Sequence, residues 1–184
     1  EEMEEVLGEL RAKLPQVQLE LTQGLGVDSR MADLVVERVQ DLDGVAPTPS
    51  DSKGDVGILM VKAGTKTQYD DCLWMQELGQ MVEQRLGIGY AVEVAQSHYG
   101  DPTMPGAAAK LVEERGVSSV VFVPYLFFPG LILQRNVLGG MKELQKKYTK
   151  VAMHIAPPLG VDDRVVAVAA DRVRDVWRQT AGVS

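Results

Sequence analysis

Three observations place this chain in the α/β class. Apolar runs of strand length show no polar alternation, as in V-V-F-V at residues 120–123. Segments with helical apolar spacing lie between them, and strand and helix alternate strictly after residue 55. A strand that is apolar on both faces belongs in a parallel sheet covered by helices, and strict alternation implies right-handed crossovers. The fold class expected is therefore α/β: a four-stranded, flavodoxin-like parallel sheet with helices on both faces and strand order 2-1-3-4.

Each element has its own signal. Residues 1–13 carry acidic side chains first and Arg11 and Lys13 last, the order a helix dipole favours, and Pro15 ends the helix. Residues 17–21 alternate like a short strand, Gly24-Leu25-Gly26 turns, and Asp28 is a good N-cap for a helix over 29–40. The Pro-, Ser- and Gly-rich segment 44–54 reads as a linker. Beyond it, strands are expected at 56–61, 91–95, 117–123 and 151–156, and helices at 69–86, 106–115, 131–147 and 162–178. Pro124 stops the third strand, because it cannot donate to a ladder.

The chain also repeats itself. Residues 9–41 align without a gap on 143–175: Leu25-Gly26-Val27-Asp28 matches Leu159-Gly160-Val161-Asp162, and Arg30, Arg38, Val39 and Asp41 match Arg164, Arg172, Val173 and Asp175. Three regions follow: 1–43, the tail of a first repeat; 44–54, the linker; and 55–184, a complete second repeat. Residues 1–42 are expected to form a helix–strand–helix unit separate from the sheet. The first repeat's earlier strands are missing from this sequence, so the chain is expected to be part of a longer protein. Alternatively, a second copy of the chain covers the exposed strand and helix.

Bulk properties exclude several functions. A net charge of −7 and a pI near 4.9 argue against nucleic acid and against an anionic membrane surface. One cysteine, Cys72, permits no internal disulfide and fits a reducing compartment, here expected to be the cytoplasm. No apolar run reaches the roughly 20 residues of a membrane span, and no signal peptide is visible.

Ligands of open α/β sheets bind outside the carboxyl ends of the strands. Three loops fall there. Lys62-Ala63-Gly64-Thr65-Lys66-Thr67 follows the first strand and offers hydroxyls and amides to an anion, although its spacing fits neither a P-loop nor a dinucleotide fingerprint. Residues 96–105 follow the second strand and carry His98, a rim imidazole with a metal or general-base reading and a plain surface-loop reading. Residues 124–130 follow the third strand, where Tyr125, Phe127 and Phe128 read either as the wall of a cleft or as core plugs. His154, the other histidine, lies inside the fourth strand and reads as packed.

The blocks V-G-I-L-M-V-K-A-G-T-K (56–66), E-V-A-Q-S-H-Y-G-D-P-T-M-P-G-A (93–107), V-V-F-V-P-Y-L-F-F-P-G (120–130) and A-P-P-L-G-V-D-D-R (156–164), in this order, resemble the class II tetrapyrrole chelatases, in particular the sirohydrochlorin cobaltochelatase family. The resemblance implies a chelatase fold and a lyase that inserts a divalent metal into sirohydrochlorin in cobalamin biosynthesis. Cobalt is the foremost metal, with iron or nickel as alternatives and no organic cofactor. It also implies that the chain is the second half of a long, two-half member. The family's H-G-[ST]-R loop has its histidine where Ala63 stands here, ahead of Gly64 and Thr65. The family glutamate that precedes an acidic-Pro pair corresponds to His98, and the histidine of its G-G-H corresponds to Ile132. Only His98 of these three can bind metal, so the resemblance implies a degenerate half, inactive alone. Its cleft wall would be Tyr99, Tyr125, Phe127 and Phe128, with Lys62, Lys66 or Arg135 meeting substrate carboxylates. Two other readings stand beside it: a tetrapyrrole- or metal-binding module without turnover, and a flavodoxin-like domain holding a phosphate.

Overall fold

The computed structural model describes residues 2–45, 55–65, 72–180 and 182. The elements are α1 (Glu2–Lys13), α2 (Ser29–Gln40), β1 (Val56–Lys62), α3 (Leu73–Leu86), β2 (Tyr90–Gln96), α4 (Met104–Ala109), β3 (Ser119–Pro124), α5 (Leu138–Lys147), β4 (Ala152–Ile155) and α6 (Asp163–Thr180). Two π-helical stretches adjoin them: Lys110–Glu114 prolongs α4, and Ile132–Val137 leads into α5. The start of the helix expected from residue 69, most of the linker, and Lys66 and Thr67 lie outside the described residues.

The strands form one parallel sheet in the order β2-β1-β3-β4, as expected. β1 is buried along its whole length and β3 nearly so, which is why their sequences lack polar alternation. One face carries Ile58, Met60, Val94, Val121 and Val123 under α3 and α2. The other carries Leu59, Val61, Ala95, Val120 and Phe122 under α4, α5 and their π-helical extensions. At the β2 edge, Glu83 of α3 accepts from the outward-facing Val92 N–H at 2.9 Å. Beside it, Lys110 pairs with Glu93 at 3.6 Å.

Two expectations for the N-terminal unit are corrected. First, residues 17–21 form no strand. Their alternation is real, but a strand needs a hydrogen-bonded neighbour, and none lies beside them among the described residues. Second, α2 is not separate. Asp28 caps it through Arg30 N–H, as expected, yet its buried face of Met31, Ala32, Leu34, Val35 and Val39 belongs to the same core as β1, β3 and α3. Burying side chains of this size stabilises by roughly 1.5–3 kcal/mol each at most. An apolar stripe states that a helix must be covered; it does not state by which sheet.

Candidate functional site

Because the sheet is parallel, Lys62, Gln96 and Pro124 end their strands on one edge. The loops 63–65, 97–103 and 125–131 therefore share that rim. Two backbone bonds tie them to the sheet: Ser97 N–H donates to Lys62 O at 2.8 Å, and Tyr125 N–H to Val61 O at 2.7 Å. The first two loops touch closely at Gly64. A Cβ built there would lie 1.4 Å from the carbonyl oxygen of His98 and 2.9 Å from that of Tyr99. Only glycine permits this approach, so Gly64, between Ala63 and Thr65, lies directly against the His98 loop.

Residues that the sequence reading did not single out hold His98 in place. Buried Gln96 donates from Nε2 to Asp101 O at 2.8 Å, and its backbone N–H donates to Pro102 O, also at 2.8 Å, clamping the loop at both ends. Gly100, with φ of +113°, sits against that amide. Ser97 Oγ lies 2.7 Å from His98 Nδ1. When Nδ1–H donates to Oγ, the lone pair is on Nε2, the tautomer that can take a metal or a proton. The Tyr99 ring lies 4.4 Å, centroid to centroid, from the imidazole, and Tyr99 holds a left-handed φ of 53°. Adjacency in Gln96-Ser97-His98 was the available signal; the alternation of strand β2 into the loop masked it.

The aromatics divide. Tyr99, Phe127 and Phe128 are 50%, 39% and 68% exposed, with Leu131 beside them at 63%. This is an apolar rim open to solvent. Tyr125 does not join it, which corrects the expected wall. Its ring packs edge-on against Trp74 with centroids 5.8 Å apart, in the core beneath α2, and its hydroxyl is buried without a partner among the described residues. Burial pushes that phenol well above its ordinary range.

Lys62 is also corrected as an open cation: it is buried, and its Nζ donates to Ala63 O at 3.0 Å. Its alkyl stem continues the apolar strand while its head stays under the rim. Arg135 is exposed on the π-helical stretch after the third loop, which Ile132 begins half-buried. His154 is half-buried on β4, and Cys72 is fully buried just before α3. Among the described residues no three or more His, Cys, Asp or Glu side chains gather closely enough to hold a metal ion. A polar groove of about 360 Å³ follows the β2 edge, lined in part by Gln80, Glu83, Glu93 and Lys110 and reaching Pro102 of the His98 loop; His98 and the exposed aromatics do not line it. No helix among the described residues is long and apolar enough to cross a membrane.

Comparison with known proteins matches these features. The CbiX family profile covers residues 57–176. The sirohydrochlorin cobaltochelatase of Sulfurisphaera tokodaii is 28% identical over 124 residues, covering 67% of this chain and 96% of that protein. The one from Sulfolobus acidocaldarius is 30% identical over 117 residues, covering 64% and 89%. Among solved structures, SirB from Bacillus subtilis with Fe3+ superposes with a TM-score of 0.66 at 17% identity. That alignment takes in 97% of this chain but 66% of SirB, so the chain spans about two thirds of that protein's length.

Proposed function

The chain belongs to the CbiX family of sirohydrochlorin chelatases, and on that premise we propose that it forms one wall of a cleft in which cobalt is inserted into sirohydrochlorin. Insertion replaces two pyrrole N–H protons by one divalent ion. It therefore needs a flat apolar surface for the macrocycle, a base for protons and a ligand that hands over the metal. Tyr99, Phe127 and Phe128 supply the surface, since aromatic faces suit a flat conjugated ring. Arg135, exposed on the stretch that follows the third loop, would meet a peripheral carboxylate. His98, through Nε2, can accept one proton or offer one ligand.

One observation supports the reading: Gly64 packs against the His98 backbone, so the loop that bears the imidazole lies on the first loop, which carries Ala63 and Thr65. Ala63 and Ile132 can neither ligate nor accept a proton. In this reading the second base and the remaining ligands come from another half, and this chain is degenerate. The metal is a substrate; the relatives' names speak for cobalt, while the SirB structure holds Fe3+.

The test is spectrophotometric. Sirohydrochlorin added to this chain is expected to bind with a shifted visible spectrum, and Phe128→Ser to weaken that binding several-fold. With Co²⁺ present, the metallation rate should stay near the protein-free rate. A chain that metallates well above that rate, and stops doing so as His98→Ala, would make His98 a sufficient catalyst and overturn the division of labour.

A further inference from the structure

His98 is restrained on three sides. Its backbone is wedged against the first loop, where Gly64 leaves no room for a Cβ beside the His98 carbonyl. The Tyr99 ring stands beside the imidazole with 59° between the ring planes. Ser97 Oγ lies 2.7 Å from Nδ1. Ser97 is itself fixed from behind, because its N–H donates to Lys62 O at 2.8 Å. The hydroxyl is therefore carried by a residue still tied to the end of the sheet. Among the described residues no hydrogen-bond partner stands at Nε2.

This arrangement makes the two ring nitrogens unequal. A metal bound to an imidazole sits about 2.0–2.1 Å from the nitrogen, along its lone pair. At Nδ1 that place falls within the 2.7 Å gap to Ser97 Oγ, so a hydrated ion does not fit there while the hydroxyl stays. The hydroxyl also does what a carbonyl cannot, since a carbonyl only accepts. It donates to Nδ1 when the ring proton is on Nε2, and it accepts from Nδ1–H when Nε2 holds a metal or when both nitrogens are protonated. Turning the O–H bond suffices for the exchange, and the ring stays in place. The hydroxyl is neutral as well. A carboxylate on the far nitrogen makes a histidine a more basic and more tenacious ligand, whereas a ligand that hands an ion over has to let it go.

We infer that Ser97 is a positioning residue for His98: its hydroxyl closes Nδ1, directs metal and proton to Nε2, and follows the imidazole through its neutral, protonated and metal-bound forms. The inference rests on the reading of His98 as the metal- or proton-handling group of this wall. It is tested on the 184-residue chain with metal alone, without any tetrapyrrole.

Ser97→Ala keeps the backbone bond to Lys62 O, and exchange at the residue-97 amide checks that the loop has held. The nitrogen-15 shifts of the imidazoles report which ring nitrogen carries the proton. They are read in the metal-free chain at about pH 8.5, where an ordinary imidazole is neutral. The chain has two histidines, so the signals lost in His98→Ala belong to His98. Ser97→Ala is expected to change the His98 tautomer ratio by at least about threefold, and Ser97→Thr to keep the wild-type ratio. Calorimetry with Co²⁺ at neutral pH is expected to show binding about tenfold weaker in Ser97→Ala and within about twofold of wild type in Ser97→Thr. With Zn²⁺ as a diamagnetic probe, the shift on binding is expected at Nε2 in the wild type and divided between both nitrogens in Ser97→Ala. An unchanged tautomer ratio in Ser97→Ala overturns the inference. So does a metal seated at Nδ1 of the wild type, or a Ser97→Thr chain that behaves as Ser97→Ala does. A tautomer ratio that answers to Ser97 while the Co²⁺ heat persists in His98→Ala would retain the positioning role and sink the metal role given to His98 above.

Discussion

Gly64→Ala is the sharpest perturbation of the rim. The new Cβ would sit 1.4 Å from His98 O and 2.6 Å from its carbonyl carbon, so the obstacle is backbone and no rotamer change relieves it. Restoring an ordinary carbon–oxygen contact of about 3.4 Å requires the two loops to part by roughly 2 Å. That movement breaks the bond from Ser97 N–H to Lys62 O, now 2.8 Å. A lost backbone hydrogen bond costs about 1 kcal/mol, and overpacking adds about 1–3 kcal/mol. At about 2–4 °C per kcal/mol for a domain of this size, Tm should fall by roughly 4–16 °C. Thermal melts followed by circular dichroism measure this, with Gly8→Ala as the control, since nothing lies within 4 Å of a Cβ there. Exchange at the Ser97 amide reports the loop directly. A variant that melts within 1 °C of the wild type, with that amide still protected, would show that the loops do not lean on one another and would dissolve the candidate site.

Other outcomes follow from single contacts. Tyr125→Phe removes a buried hydroxyl without a partner among the described residues and should leave stability unchanged or raise it by about 1 kcal/mol in urea melts; a loss above that size would reveal a hidden partner. Arg38→Ala deletes the bond to Leu159 O and the 3.5 Å pair with Asp162, both half-sheltered, and should cost about 1–3 kcal/mol, whereas Arg174→Ala on the exposed face of α6 should change almost nothing. Arg164 holds the Asp162 carboxyl down to about 2, and Arg30 lowers Asp28 and Asp171 likewise. The unfolded chain takes up these protons first, so their contribution is full above the ordinary carboxylate range near pH 4 and fades as pH falls towards about 2. Urea midpoints that stay flat between pH 5 and 2 in the wild type, or that fall as steeply in Asp162→Asn, would refute the assignment. Calorimetric titration with Co²⁺ should give dissociation constants of the order of millimolar, with the heat lost in His98→Ala, because one imidazole leaves most coordination to water.

Much of this was legible in the residues. Unbroken apolar runs announced β1 and β3, Asp28 announced the start of α2, and the motif blocks located the rim loops and His98. What stayed hidden was partnership. The stripe on α2 showed that something covers it, but the identity of that sheet depends on contacts far apart in sequence. Residues 17–21 alternate as a strand should, yet alternation cannot supply the neighbour that makes one. Tyr125 and Phe127 are alike in composition, and only the path of the chain after Pro124 turns one inward and the other outward. Lys62 announced a charge at a strand end; that its head bends under the rim to Ala63 O is a matter of local space.

The carboxylate of Glu83 has a wider consequence. By occupying the Val92 N–H, it seals the outer margin of β2, and Lys110 and Glu93 set charge beside the seal. With that donor engaged and charge beside it, β2 is a poorer template for a stray strand, whose addition is a common route by which a β-rich fragment becomes a fibre.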